Sequence, residues 1–307
     1  MLAIVAPGQG AQTPAMLQSW LELPGAAQQL ADLSRACGVD LLTHGTLSDA
    51  DTIRDTAVAQ PLIVAAGLLS WKALNCPSAD VIAGHSVGEI TAAVIAGVLS
   101  PQDAMSFVQL RGSGMASAAK LVPTGMSAVL GGEAATVVAK AELHGLTPAN
   151  MNGAGQIVVA GTFQQLDAFA EDAPEGARVR PLPVAGAFHT VHMSSAVSAL
   201  DDFSSSMTTH DPSAPLLSNA DGCAVDTGDE ILRRLVAQVS NPVRWDLCMD
   251  MMVSMGVTGL LELSPGGTLV GLAKRAMPGV AAVALKSPED LDAAFALIAE
   301  HGGKDSQ

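Results

Sequence analysis

Short apolar runs, each closed by glycine, proline or serine and followed by a segment of helical period, recur along this chain. Residues 2–6 are wholly apolar and stop at Pro7-Gly8-Gln9-Gly10. That is the pattern of a buried strand entering a glycine-rich loop. The loop matches neither phosphate-binding glycine pattern. The spacing predicts helices over 13–20 and 57–74, the second with Pro61 near its start. The run 80–83 leads into Gly84-His85-Ser86-Val87-Gly88, and a helix-like segment, 89–96, follows. Ser100-Pro101-Gln102-Asp103 has a serine cap, a proline in the first turn and an acid at the third position, so a helix should start there and run through Arg111.

From Gly125 the texture changes. Strands are predicted over 126–130, 156–160 and 177–182, with helices over 133–143 and 162–170. A short strand around 148–151 would complete a split βαβ unit, so residues 123–183 are read as an inserted small subdomain. Beyond it come a loop at 186–189, a helix over 191–207, a strand over 215–218 and a helix over 229–239. Asn241-Pro242-Val243-Arg244-Trp245 breaks that helix, and another runs to 255. A buried strand, 258–263, ends at Ser264-Pro265-Gly266-Gly267; a helix through Lys274 and Arg275, a strand over 281–284 and a helix over 288–300 complete the chain, with 302–307 expected to fray. Strands alternating with helices give an α/β fold with a mostly parallel sheet covered on both faces.

Composition narrows the partners. The chain has 307 residues, 49% hydrophobic and 15% charged, enough for a substantial core. A net charge of -15 argues against nucleic acid and anionic membrane as partners, and with the length it favours a monomer. Cys37, Cys76, Cys223 and Cys248 form no C-x-x-C pair and read as free, mostly buried thiols of a reducing compartment. The start of the chain lacks the basic region of a signal peptide, and the apolar stretch 56–71 is shorter than the ~20 residues of a membrane helix. A cytoplasmic protein is expected.

The candidate chemistry centres on Ser86. A G-x-S-x-G between strand and helix is a nucleophile elbow, whose turn holds the serine at positive φ and leaves no room for side chains at the flanking glycines. The letters alone recur by chance in about one chain in ten of this length, so the flanking elements carry the weight. A serine needs a base. Of the seven histidines, His85 adjoins the nucleophile and diverges from it, while His44, His144, His210 and His301 sit in polar stretches and read as solvated. His189 and His192 remain; spacing alone does not settle the choice, but His189, in a glycine-containing loop after a predicted strand and before a helix, suits the base of an α/β-hydrolase-like arrangement. Arg111 lies among small and apolar neighbours; it either snorkels to water or binds an anion.

These pieces, in this order, resemble the bacterial malonyl-CoA:acyl carrier protein transacylases. They are Pro7-Gly8-Gln9-Gly10-Ala11-Gln12, Ala59-Gln60-Pro61, Gly84-His85-Ser86-Val87-Gly88-Glu89, Arg111-Gly112, Asn152-Gly153-Ala154-Gly155-Gln156, Gly186-Ala187-Phe188-His189, Gln238 with 241–245, and 262–267. Ser264 and Ala6 depart mildly from that pattern. The resemblance implies an α/β-hydrolase-like subdomain over 1–122 and 184–307 with a ferredoxin-like insertion over 123–183. It implies Ser86 as nucleophile, His189 as base oriented by the Gln238 carbonyl, Gln9 and Val87 N–H groups as oxyanion hole, and Arg111 on the malonyl carboxylate. Phe188 would crowd an α-methyl. The substrate would be a coenzyme A thioester, no cofactor would be bound, and malonyl-CoA and an acyl carrier protein would be the partners. Because the carrier is acidic, Lys274 with Arg275, or Arg178 with Arg180, are candidate docking residues. A serine thioesterase or hydrolase would share the nucleophile and base.

Overall fold

The computed structural model describes residues 1–302; 303–307, most of the stretch expected to fray, lie outside them. Strand β1 (Leu2–Ala6) is buried along its whole length. The helix expected over 13–20 is instead a series of turns ending in a 3-10 turn, Trp20–Glu22. Ala15 takes a left-handed φ of 59°, and the Leu17 N–H is drawn to the Gly45 carbonyl, so no helical ladder forms. Two helices that the pattern reading passed over follow: α1 (Ala26–Cys37) and α2 (Leu41–Thr46). Helix α3 (Thr56–Ala73), capped by the Asp55 side chain, is buried through its middle despite Pro61.

Strand β2 (Val81–Gly84) turns sharply into α4 (Gly88–Ile95), and Ser100 caps α5 (Pro101–Ala118) as expected. Next come β3 (Thr124–Gly131), α6 (Ala134–Leu143), β4 (Thr147–Met151), β5 (Gln156–Thr162), α7 (Phe163–Glu171) and β6 (Ala177–Pro181). The single helix expected over 191–207 is a 3-10 segment, Val191–Ala196, followed by α8 (Val197–Ser204). The remainder is β7 (Leu216–Leu217), β8 (Ala224–Val225), α9 (Gly228–Ala237), a 3-10 turn Gln238–Ser240, β9 (Val243–Arg244), α10 (Trp245–Ser254), β10 (Gly259–Glu262), α11 (Thr268–Ala276), β11 (Ala281–Ala284) and α12 (Leu291–His301).

The fold is mixed α/β with two sheets. The first runs β11-β10-β1-β2-β7-β8 and is parallel except at its β7–β8 edge. The second runs β6-β3-β5-β4-β9, antiparallel except where β9 joins β4. In β1, Leu2 and Ile4 face a core with α3, while Ala3 and Val5 face one built with α10 and α11. Alternate residues thus bury on opposite sides, which is why the strand reads as continuously apolar.

Ala6 pairs with Gly84 and Val5 with Glu262, so the loops after β1, β2 and β10 leave the same edge. That edge, beyond the carboxyl ends of parallel strands, is where open α/β sheets bind ligands. Buried Glu262 accepts the N–H groups of Gly267, Leu269 and Val270, tying down the start of α11 there.

All four cysteines are free, Cys37 and Cys248 buried and Cys76 and Cys223 exposed, so half of them depart from the expected burial. His44 lies within α2, and the side chains of His144 and His301 are only 20% and 14% exposed, less solvated than their polar surroundings suggested. Among the described residues no helix is long and apolar enough to cross a membrane.

The elbow glycines are the tightest packing constraint. A Cβ on Gly84 would lie 2.1 Å from the Gly88 carbonyl carbon, and one on Gly88 would lie 2.2 Å from the Ala6 oxygen. Gly271, inside α11, has open space instead. Gly84→Ala should lower stability by about 3 kcal/mol or prevent folding, whereas Gly271→Ala should raise it by about 0.5–1 kcal/mol. Thermal denaturation of the two variants checks this; a Gly84→Ala protein as stable as the parent would contradict it.

Candidate functional site

The turn between β2 and α4 holds Ser86 at φ 53°, a conformation L-residues avoid. Its Oγ is 2.7 Å from His189 Nε2. His189 is itself at φ 60°, in the loop before the 3-10 segment, and its Nδ1 is 2.8 Å from the Gln238 carbonyl oxygen. A carbonyl only accepts, so Nδ1 carries the proton and Nε2 offers its lone pair to the serine hydroxyl. His192, the other histidine that spacing allowed, makes no such contact; its backbone N–H bonds Thr190 Oγ1.

Arg111 does not snorkel. It projects from α5 and is 1% exposed. Nη1 donates to Gln60 Oε1 at 2.7 Å, Nη2 to Gln238 Oε1 at 2.8 Å, and Nη2 also lies 3.5 Å from Ser86 Oγ. Each Nη carries two hydrogens, and the glutamine carbonyls take one from each. The second N–H of Nη2 makes only the long contact to Ser86 Oγ and Nη1 keeps one N–H, so each nitrogen has a donor it could turn to a carboxylate. Among the described residues, the amide nitrogen of Gln60, from α3, has only the Met115 sulfur within reach, at 3.4 Å.

Ser86, His189 and Gln60 line a cleft of ≈ 260 Å³ whose walls also include Gln9, Met115, Asn152, Phe188 and Leu272, while Arg111 and Gln238 lie behind that lining. Phe188 is buried beside the base. Gln9 lies on the loop after β1, and Val87, fully buried, directly follows the nucleophile at the start of α4. His85 turns away, its Nε2 2.9 Å from Asn152 Oδ1 and its ring edge-on to Trp245. The four candidate docking residues stand apart from the cleft lining: Lys274 and Arg275 are exposed on the last turn of α11, Arg178 and Arg180 on β6.

Behind the nucleophile lies a polar layer that pattern reading missed. Asn219, just past β7, accepts the Ser86 N–H at 2.8 Å and donates to the Gly84 oxygen at 2.8 Å. Glu89, in the first turn of α4, accepts the Asn219 N–H at 2.6 Å and also the Gln238 amide. The available signal was a lone acid opening an otherwise apolar helix; Asn219 had none.

Burial decides the electrostatics. Together with the Arg111 cation, it pulls the His189 imidazole down to about 3. Burial draws Arg111 down to about 10, opposed by Glu89, and pushes Glu89 up to about 8, opposed by the Asn219 N–H and by Arg111. His85 is also lowered by its burial. His189 is therefore neutral, with Nε2 able to accept a proton, at any pH well above 3.

An ordinary histidine loses half its basic form near pH 6.5. The acid limb of Ser86 acylation by an uncharged acyl donor should lie well below that. Arg111→Gln removes one of the causes and should move the limb upward. A pH–rate profile with acetyl-CoA checks both; a limb near 6.5 that Arg111→Gln leaves in place would contradict the assignment.

Residues 4–287 match the acyl transferase domain family. The malonyl CoA-acyl carrier protein transacylase of Mycobacterium tuberculosis is 50% identical over 297 residues, covering 95% of this chain and 98% of that protein. The enzyme of the same name from Escherichia coli is 33% identical, covering 96% and 99%. The crystal structure of MCAT from Mycobacterium tuberculosis superposes with a TM-score of 0.92, at 50% identity over 95% of this chain and 99% of that one. A malonyl-transacylase solved in complex with a type II PKS acyl-carrier protein gives 0.91, at 29% identity over 96% and 99%. The chain belongs to the acyl transferase family, among the malonyl CoA-acyl carrier protein transacylases.

Proposed function

We propose that this protein transfers a malonyl group from malonyl-CoA to the phosphopantetheine thiol of an acyl carrier protein, through a malonyl ester on Ser86. The observation that carries the reading is the convergence on one hydroxyl of a neutral imidazole at 2.7 Å and a buried guanidinium at 3.5 Å. A hydrolase needs the first; only a donor bearing an anion needs the second.

In this reading, residues 1–122 and 184–307 form an α/β-hydrolase-like subdomain and 123–183 a ferredoxin-like insertion. The split of strands between the two sheets supports that division, with β9 lending a short edge to the smaller sheet. The cleft is lined from both sides, by Leu272 of α11 and by Asn150 and Asn152 from β4 and the loop after it.

His189 Nε2 takes the Ser86 proton as Oγ bonds to the thioester carbon. The carbonyl becomes an oxyanion that the Gln9 and Val87 N–H groups stabilise; removing one such donor costs ~3 kcal/mol in comparable sites. The carbon–sulfur bond then breaks, and the imidazolium protonates the departing coenzyme A thiolate. The carrier's thiol repeats the steps in reverse, releasing Ser86. No cofactor enters this route. Arg111 holds the malonyl carboxylate throughout, and Phe188 limits space near its α-carbon.

The carrier is acidic, so docking needs local positive charge on a chain whose net charge is -15. Lys274 and Arg275 extend the helix whose Leu272 lines the cleft, and Arg178 and Arg180 precede the lining residues Leu182 and Val184. That closeness in the chain to lining residues supports either pair as the docking site.

Intact-protein mass spectrometry tests the whole scheme. Malonyl-CoA should add one malonyl group, abolished in Ser86→Ala, and holo carrier protein should then remove it and gain the same mass. Release of malonate to water at the same rate with and without carrier would mark a hydrolase and overturn the proposal.

A further inference from the structure

Two buried polar residues hold the turn at Ser86 and the side chain of Gln238 without lining the cleft. Asn219 is wholly buried and lies behind the elbow. Its Oδ1 accepts from Ser86 N and, at 3.2 Å, from Gln238 Nε2, while its Nδ2 donates to Gly84 O. The side chain therefore bridges the first and third residues of the strained turn. Such a turn stays at positive φ only when its surroundings over-determine it, and this bridge is the polar part of those surroundings.

Glu89 acts on the other end. One carboxylate oxygen takes the Asn219 N–H and the other takes the Gln238 side-chain amide. A glutamine amide can point either way, and here its neighbours decide. Both Glu89 oxygens already accept an N–H, so in this arrangement Nε2 faces Glu89 and Oε1 faces Arg111, which it meets at 2.8 Å. If the amide turned over, two donors would face each other beside the nucleophile. Gln238 also holds His189 through its backbone carbonyl, so the same residue serves base and cation.

Resting on the malonyl-transfer reading above, we infer that Asn219 and Glu89 are positioning residues with separable effects. Asn219 sets the reactivity of Ser86 toward any acyl donor. Glu89 sets the preference for donors that carry a carboxylate, by fixing the direction of the Gln238 amide and with it the aim of Arg111.

The test compares three variants with the parent protein for Ser86 acylation by malonyl-CoA and by acetyl-CoA, and for Ser86 labelling by a sulfonyl fluoride. In Glu89→Gln, a neutral amide of the same shape can satisfy only one of its two N–H partners, and Gln238 is free to turn. The malonyl-to-acetyl preference should fall by about tenfold or more, the worth of one hydrogen bond to a charged group, with acetyl transfer little changed. A purely structural role would lower both rates alike, and an unchanged or increased preference would overturn the inference.

Asn219→Ala should slow malonyl transfer, acetyl transfer and sulfonylation together, by about a hundredfold, because it strands a buried donor and a buried acceptor at the turn. Asn219→Asp, compared with the parent at pH 6, should recover most of that loss, since a protonated carboxyl can still donate to Gly84 O. Parent-like sulfonylation in Asn219→Ala, or no recovery in Asn219→Asp, would overturn it. Should Glu89→Gln fail to fold, Glu89→Asp, too short to reach the Gln238 amide, is read for the same fall in preference, and an unchanged preference overturns that half. Sulfonylation does not depend on the natural donor, so a parent protein that reacts with the fluoride but not with malonyl-CoA would count against the proposed function instead.

Discussion

A guanidinium almost wholly out of solvent, with no carboxylate in contact among the described residues, is the constraint around which this molecule is arranged. Removing a cation from water costs several kcal/mol unless something opposite in charge compensates it. Arg111 meets two glutamine oxygens and a serine hydroxyl, all neutral. The one buried carboxylate of the layer, Glu89, reaches it only through the Gln238 amide. The compensation at rest is partial, and in the proposed malonyl transfer a substrate that brings its own carboxylate would complete it. Such a site would discriminate strongly, because a donor lacking the anion leaves the buried cation as it was.

The same cation bears on the base. Arg111 and burial together hold His189 far below the usual imidazole range, so the resting base is neutral but weak. A bound carboxylate offsets the charge that depresses it. Recognition and proton transfer are therefore electrically linked, and both run through Gln238, whose side chain meets the arginine and whose backbone meets the histidine. The fold supplies the rigidity this requires. Ser86 comes from the end of β2 in the mostly parallel sheet, Arg111 from α5, Gln60 from α3, which packs against α5, and Gln238 from the end of α9.

How much of this the sequence disclosed depended on whether a residue's role left a local mark. The elbow did, because a sharp strand-to-helix turn demands glycine where the chain crowds against Gly88 and β1. The strand over 281–284 was read with its observed bounds, since apolar runs stopped by polar residues locate themselves. Helix α1 also left a mark that went unused: Ala26, Leu30, Leu33 and Cys37 bury one face between two left-handed glycines. The failure at 13–20 is of another kind, since a tertiary bond from Leu17 to Gly45 and a left-handed Ala15 overrode the local preference. His189 could not be separated from His192 by spacing, because the choice is made by a loop whose path depends on Gln238, 49 residues away. Asn219 was invisible for the same reason: its partners lie 133 and 135 residues earlier in the chain.

The most direct test of the central claim is calorimetric binding of malonyl-CoA and acetyl-CoA to Ser86→Ala, which cannot react. A buried cation awaiting a carboxylate predicts malonyl-CoA to bind tighter by about a hundredfold or more, with the difference abolished by adding Arg111→Ala. Equal affinities in Ser86→Ala would contradict the account.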